Sequence, residues 1–157
     1  MKPKNLLGIM GILLMAAGGC AGVQTGRAGS SVENLQDEVV KAARSLVGIS
    51  CPAATGIDCS RYIPELYHKA TGTLLPPKPA DLAKFGRPVT KEDLRPGDIV
   101  YFMIESQESA HPGIYLGGGD FVHISSSDGS FAIQNLDQDY WRIRFLGGRR
   151  VLRWMQS

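Results

Sequence analysis

The chain has 157 residues, of which 43% are hydrophobic and 20% charged, as is typical of one globular domain. Its formal net charge is +2, and no net charge remains once a leader containing Lys2 and Lys4 is removed. A neutral chain has no long-range field for a polyanion, which argues against nucleic-acid binding. Three cysteines and three histidines, all widely spaced, form neither a disulfide scaffold nor a recognisable metal motif, so we expect no metal or cofactor.

Residues 1–19 are predicted to be a lipoprotein signal peptide. Two lysines precede an uncharged apolar run that is too short to span a bilayer with ease. Small residues then lead directly to Cys20, a pattern that resembles the bacterial lipobox, in which the chain is cut before a cysteine that becomes lipidated. The alternative is an ordinary signal peptide followed by an incidental cysteine.

Lipidation of Cys20 predicts a protein of the cell envelope that is anchored to a membrane. Ala21 at the second mature position favours the outer membrane, on its periplasmic face, by resemblance to enterobacterial lipoproteins. Residues 20–31 are rich in Gly, Ala and Ser and are predicted to form a flexible tether. The folded domain is predicted to comprise residues 32–157, and we expect it to be a monomer.

Helical periodicity is predicted from Val32 to Gly48, with Ser30 or Ser31 as the N-cap. A second helix is predicted to begin near residues 58–60 and to close at Thr71-Gly72, and a short helical piece is predicted at 79–85. The pattern then changes to that of strands, predicted at 98–104, 113–116, 121–125, 130–135 and 148–154. Helices followed by a meander of strands predict an α+β fold with an antiparallel sheet.

Cys59 lies where a loop becomes the second predicted helix. A thiol at a helix N-terminus is close to unpaired N–H groups and partial positive charge, which favour the nucleophilic thiolate. Asp58 or Ser60 can cap the same helix end. The alternative is a buried structural cysteine, the common fate of a lone cysteine in a globular domain.

His111 and His123 lie on two predicted strands joined by a run of three glycines. A histidine at a strand edge can reach the start of a helix packed on the sheet, where it can act as the general base for a cysteine. His123 would hydrogen-bond to the ring of His111 and fix its tautomer. The alternatives are a surface strand residue for His111 and a satisfied core histidine for His123.

Five blocks of sequence follow one another along the chain: Asp58-Cys59-Ser60, Leu94-Arg95-Pro96-Gly97-Asp98-Ile99-Val100-Tyr101-Phe102, His111-Pro112-Gly113-Ile114-Tyr115-Leu116-Gly117, Phe121-Val122-His123, and the C-terminal aromatic and arginine residues from Tyr140 to Val151. In this order they resemble the NlpC family of cell-wall cysteine peptidases, and the resemblance covers about 32–152.

This resemblance implies a papain-like fold with N-terminal helices packed on a five- to six-stranded antiparallel sheet. It also implies that Cys59, His111 and His123 are nucleophile, base and orienting residue, and that Asp58 and Ser60 face the substrate. The family's usual reaction is hydrolysis of the bond between D-glutamate and diaminopimelate in peptidoglycan stem peptides.

Two features differ from the family's usual pattern. Cys51 lies near the position of a customary tyrosine in a shortened loop, where it is either a packed spare thiol or a partner that masks Cys59 in a disulfide. Arg61 replaces a glycine, and it could pair with a stem-peptide carboxylate or lie over the surface. These differences motivate an alternative function, a lipoprotein of the same fold that binds wall peptide or a partner protein without cleaving it. A third hypothesis is an amidase or acyltransferase, because one fold can support several chemistries.

The C-terminal arginines, 142, 144, 149, 150 and 153, alternate with aromatic residues. We interpret them mainly as the solvent-facing side of a final strand, and as a patch for an anionic polymer only in the alternative.

Overall fold

The computed structural model of the chain describes residues 28–51, 61–104, 110–127 and 129–152. Its helices are α1 (Ala28–Ser45), α2 (Tyr62–Thr71), α3 (Pro79–Leu82) and α4 (Asp139–Arg142). Its strands are β1 (Arg87–Val89), β2 (Ile99–Phe102), β3 (His111–Gly117), β4 (Asp120–Ile124), β5 (Phe131–Asn135) and β6 (Phe145–Arg150). None of the helices in these ranges is both long enough and apolar enough to cross a membrane.

The six strands form one antiparallel sheet in the order β1-β6-β2-β3-β4-β5. This confirms the α+β fold predicted from the sequence. The consecutive strands β2 to β5 form a meander, and β6 returns to pair with the free side of β2. The short strand β1, which the sequence does not predict, pairs with β6 at the edge of the sheet.

Helix α1 begins at Ala28 rather than Val32, so it includes the last four residues of the segment predicted as a tether, 20–31. The predicted N-caps, Ser30 and Ser31, are inside the helix. Small Ala and Ser residues are compatible with a first helical turn, which lets the helix extend beyond its apolar pattern. Its C-terminal end is Ser45, and its core-facing residues include the fully buried Val39 and Ala43.

Helix α2 follows the predicted nucleophile segment and packs its buried Ile63, Leu66 and Tyr67 against α1 and the sheet. Gly72 ends the helix in a left-handed conformation, and its N–H donates to the carbonyl of His68. Pro64 is the third residue of the helix, where an N–H would have no intrahelical acceptor, so the proline is tolerated. The helix is therefore regular despite a proline near its start.

The sheet has a different apolar layer on each face. Alternate strand residues, Ile99, Tyr101, Ile114, Leu116, Val122 and Ile124, form a core with α1 and α2. The intervening residues face the other side, where an aromatic cluster comprises Phe102, Phe121 and Trp141 with Phe145 packed beside it. The period-two alternation of strand side chains explains how one sheet supports both layers.

The turn before β2 joins α2, β3 and β6. Gly97, at φ 82°, accepts a hydrogen bond from the hydroxyl of Tyr67 on α2, and its N–H donates to the carbonyl of Tyr115 at 2.8 Å. The neighbouring Asp98 receives two hydrogen bonds from Arg150, from Nε at 2.9 Å and from Nη2 at 2.7 Å. These contacts fix the helix that follows the nucleophile segment relative to the strand that carries His111.

The assignment of the C-terminal arginines to a solvent-facing surface is wrong for Arg150. Its residue is only 4% exposed and Asp98 is 1% exposed, so the ion pair is buried. A bidentate arginine–carboxylate geometry compensates the desolvation of both charges. Arg142 is exposed, as predicted, and Arg153 lies outside the described residues.

Candidate active site

The structure brings His111 and His123 together on the hairpin formed by β3 and β4. His111 is the first residue of β3, and three glycines with positive φ, 117–119, turn the chain back into β4. The two rings are joined by a hydrogen bond of 3.0 Å between Nε2 of His111 and Nδ1 of His123. The predicted ring-to-ring contact is therefore present, while the catalytic roles of both residues stay predictions.

The ring contact constrains the tautomers of the pair. One of the two nitrogens must carry the proton, because a neutral imidazole has one donor and one acceptor. If His111 accepts a proton at Nδ1, its Nε2 is the donor and Nδ1 of His123 is the acceptor. His123 then carries its own proton on Nε2. In that state His123 keeps His111 in the tautomer that a general base needs.

Aromatic rings surround the histidine pair and exclude water from it. His111 and His123 are 2% and 4% exposed, and Trp141 of α4 contacts both. The Trp141 ring lies edge-on to His123, with centroids 4.7 Å apart, and is nearly parallel to His111 at 6.4 Å. Phe121 also packs against His123. Trp141 is part of the C-terminal block noted in the sequence, but its contact with the histidines could not be read from the sequence.

Burial lowers the pKa of His111 from 6.5 to about 4, because the apolar surroundings disfavour the imidazolium. A hydrogen bond to the backbone of Ile124 acts in the opposite direction and raises the pKa. The net effect favours the neutral ring at physiological pH. A neutral imidazole is the form that can accept a proton from a thiol.

Pro112 explains why the backbone of Ile124 is available to this ring. The backbone N–H and carbonyl of Tyr115 both hydrogen-bond to the chain leading into β2. Successive residues of an antiparallel strand point their backbone groups to opposite sides, so the backbone of Pro112 faces β4. Extending the Ile114–Val122 pairing by two residues places Pro112 opposite Ile124. Proline has no N–H to donate, so it does not compete with the ring for the carbonyl of Ile124.

Of the segment predicted to carry the nucleophile and its substrate contacts, 58–61, the structure describes Arg61. Asp58, Cys59 and Ser60 lie outside the described residues, as does the predicted lipidation site, Cys20. Arg61, just before α2, is exposed and has an αR backbone conformation. Its side chain makes no hydrogen bond that caps the helix. Arg61 is thus exposed at the helix start, and its predicted contact with substrate stays a prediction.

Cys51 is a free cysteine, partly buried against the helix-side core. Its N–H donates to the carbonyl of Gly129 at 2.7 Å, which joins this end of the loop to the segment before β5. The packing agrees with a spare thiol. The alternative disulfide with Cys59 concerns a residue outside the described ranges and stays a prediction.

No group of three or more His, Cys, Asp or Glu side chains within the described residues could hold a metal ion. The described part of the site therefore consists of an imidazole pair, a carbonyl and an aromatic wall. Such a set can accept, hold and return one proton, which is the work required of the base in nucleophilic catalysis.

A family model described as the NlpC/P60 family matches residues 46–150. The chain belongs to the NlpC/P60 family. The match includes the segment predicted to carry the nucleophile, the β3–β4 hairpin, α4 and β6. This agrees with the resemblance seen in the sequence at about 32–152, and the match itself covers two thirds of the chain.

Two curated relatives share a similar region. The murein DD-endopeptidase MepS/murein LD-carboxypeptidase of Escherichia coli K12 is 37% identical over 97 residues, covering 62% of this chain and 50% of that protein. The gamma-DL-glutamyl hydrolase of Bacillus subtilis is 35% identical over 97 residues, covering 62% of this chain and 23% of that protein. The matched region thus spans half or less of each of these relatives.

A solved NlpC/P60 family protein from Bacillus cereus has the same fold. It superposes with a TM-score of 0.63 at 25% identity, over 74% of this chain and 40% of that protein. The six-stranded antiparallel sheet with its packed helices is therefore an NlpC/P60 architecture.

Proposed function

We propose that this protein is a cysteine endopeptidase that hydrolyses peptidoglycan stem peptides. Cys59 is the nucleophile, His111 the general base, and His123 the residue that orients the base. The observation that supports this proposal is the buried hydrogen bond between the two histidines. It occurs in a family whose relatives include a murein endopeptidase and a glutamyl hydrolase. A protein that only binds wall peptide has no chemical need for a buried, oriented base.

Acylation begins when Nδ1 of His111 takes the proton of the Cys59 thiol. For this step the ring carries its own proton on Nε2, so Nδ1 has given up its hydrogen bond to the carbonyl of Ile124. The thiolate attacks the carbonyl carbon of the scissile amide, and a C–S bond forms as negative charge develops on the carbonyl oxygen. The backbone N–H of Cys59 at the helix start is the proposed donor to this oxyanion. The C–N bond then breaks, and His111 returns its proton to the leaving amine.

Deacylation reverses the roles. His111, again neutral, takes a proton from a water molecule, whose oxygen attacks the thioester carbonyl. The C–S bond breaks, the acid product leaves, and the proton on His111 returns to the sulfur of Cys59. Throughout the cycle His123 holds the ring of His111 through Nε2, so the reacting nitrogen stays directed at the sulfur.

The proposed scissile bond joins D-glutamate to diaminopimelate in the stem peptide, as the family resemblance implies. Asp58 and Ser60, which flank the nucleophile, are the proposed substrate contacts. Arg61 adds a cation for a stem-peptide carboxylate, and its exposure next to the helix start is compatible with that role.

The decisive experiment is digestion of purified muropeptides under reducing conditions, with fragments identified by mass. Residues 21–157 are suitable because they include every residue that the structure describes. Cleavage at the D-glutamyl bond that disappears in Cys59→Ala supports the proposal. Cleavage between two D-configured centres instead would keep the enzyme class but change the bond. Intact muropeptides that still bind the wild-type chain would favour the binding function.

The role of Cys51 is tested by omitting the reductant. A disulfide to Cys59 would abolish cleavage in oxidising buffer, and Cys51→Ser would restore it. Equal activity of the wild-type chain with and without reductant would leave Cys51 as a packed thiol.

We further propose that Cys20 is lipidated and anchors the protein to the periplasmic face of the outer membrane. Acyl chains on this residue would give firm attachment, because each buried methylene contributes about 0.8 kcal/mol. The expected result is a membrane-bound chain whose mass includes the acyl groups. Cys20→Ala should yield an unacylated chain in the soluble fraction of the envelope, and an unchanged mass would contradict lipidation.

A further inference from the structure

A groove of about 240 Å³ lies between α3, β1, β6 and the Tyr101 side chain of β2. It is bordered by Ala110, the residue immediately before His111. Val89 and Leu146 provide apolar walls, while Tyr101 and Arg149 provide the polar side chains. No acidic side chain is among the described residues that line it. The described part of the lining is therefore mainly apolar and contains one positive charge.

Arg149 is held in place within this groove. Its Nε donates to the carbonyl of Ala83 at 2.8 Å, which fixes one edge of the planar guanidinium. The two terminal nitrogens form the fork that binds a carboxylate through two parallel hydrogen bonds. Within the described ranges no ion pair engages Arg149, in contrast to the neighbouring Arg150, which is paired with Asp98.

Tyr101 contributes a hydroxyl to the same groove. The residue is 7% exposed, and its hydroxyl has no hydrogen-bond partner in the described part of the chain. A buried polar group without a partner costs free energy, and that cost is recovered when a ligand accepts its hydrogen bond. Burial raises the pKa of Tyr101, and the nearby charge of Arg149 lowers it in part. The hydroxyl is thus a donor at neutral pH, and an anion is the matching acceptor.

The location of the groove relates it to one side of the scissile bond. His111 gives its proton to the leaving amine, so the leaving residue must lie beside His111 while the acyl part lies toward Cys59. Ala110, which borders the groove, immediately precedes His111 in the chain, so the groove lies next to the backbone of the residue that protonates the leaving amine. We propose that the groove is the binding site for the leaving residue, with Arg149 and Tyr101 holding its carboxylate. This inference rests on the proposed hydrolase function and specifies the part of the substrate that the groove recognises.

The chemistry of the groove defines the preferred residue. It would carry a free carboxylate for the guanidinium and the phenol, on an aliphatic stem that packs between Val89 and Leu146. A diaminopimelate-type residue satisfies both requirements. The same residue with its carboxylate amidated would lose the charge, and one of the guanidinium hydrogen bonds would be replaced by an opposed pair of donors.

The test compares two synthetic stem peptides that differ only in a carboxylate or a carboxamide on the leaving residue. The measured quantity is the ratio of their kcat/KM values. Because hydrogen bonds to charged groups contribute about 1.5–3 kcal/mol, Arg149→Gln should lower the carboxylate preference by about 10–100-fold. Tyr101→Phe should lower it less, and Arg149→Lys should retain part of it. Arg142→Gln, an exposed arginine on α4, is the matched control and should leave the ratio unchanged.

A binding measurement separates this inference from the proposed function. Cys59→Ala, alone and combined with Arg149→Gln, is titrated calorimetrically with the same two stem peptides, one bearing the carboxylate and the other the carboxamide. Preferential binding of the acid that is lost in Arg149→Gln supports the groove even if the wild-type chain cleaves neither peptide. A carboxylate preference that survives Arg149→Gln in both assays, or equal binding of acid and amide, would overturn the assignment while leaving hydrolysis untouched.

Discussion

In the variant Cys59→Ala, we expect the stability of the protein in acid to depend on the protonation of His111. Burial lowers the pKa of His111 from 6.5 to about 4. Between these pH values the unfolded chain binds a proton that the folded chain does not, so the free energy of unfolding rises with pH and falls on acidification. Below about pH 4 both states carry the proton, and the accumulated loss of about 3 kcal/mol is complete. Within the window the slope approaches about 1.4 kcal/mol per pH unit.

The perturbation is Cys59→Ala, because a thiolate beside the ring would favour the imidazolium and raise the pKa of His111. Urea unfolding is measured from pH 4 to pH 7.5 for Cys59→Ala and for Cys59→Ala combined with His111→Gln. Carboxylates titrate in both variants, so their contribution cancels in the difference between the two curves.

The expected difference is a loss of about 3 kcal/mol on acidification in the variant that keeps His111. In the same variant, NMR should show the ring of His111 titrating with a pKa near 4. A difference curve that stays flat across the whole range would refute the argument that the aromatic surroundings hold the ring neutral.

Three further outcomes follow from the contacts around the site. Arg150→Met should lower the free energy of unfolding in urea by about 3–5 kcal/mol, because it leaves a buried carboxylate unpaired. Arg142→Gln should lower it by less than about 1 kcal/mol because its ion pair is exposed, and equal losses would contradict the buried pairing. Pro112→Val should lower the pKa of His111 below about 4 in an NMR titration, because the new N–H competes for the carbonyl that the ring uses; an unchanged pKa would show that the proline has no such effect. Trp141→Ala should raise that pKa toward 6.5 by admitting water, and should lower stability by about 3–5 kcal/mol; a pKa that remains near 4 would mean that other groups exclude the water.

The hairpin and its histidines could be predicted from local sequence because their signals are local. A run of glycines between two apolar strands indicates a tight turn, and the turn brings the flanking strands into register. The end of α2 at Gly72 is equally local, since glycine tolerates the left-handed conformation of a helix C-terminus. The ring contact between His111 and His123 follows from this pairing.

The contacts that complete the site depend on residues far apart in the chain. In the sequence, Arg150 is one of several arginines that alternate with aromatic residues, a pattern that predicts a surface. Only the folded chain places Arg150 beside Asp98 in the interior. Strand β1 has only three residues, one of them a proline, so it has no strand periodicity that a sequence could show. It forms by pairing with the edge of β6. Trp141 becomes the wall of the histidine pair only when α4 is laid across the sheet. Tertiary packing supplies each of these contacts.

The two histidines are twelve residues apart on one hairpin, whereas the proposed nucleophile, Cys59, precedes α2 in a separate segment of the sequence. The hairpin alone therefore brings the two histidine rings together, without a contribution from the segment that carries Cys59. Isolated hairpins form within about 1–10 μs, so this unit can be among the early structures on the folding pathway. Replacement of Cys59 would abolish bond cleavage and leave the imidazole pocket intact. Under the proposed function, this one substitution would leave a protein that binds the stem peptide without cleaving it.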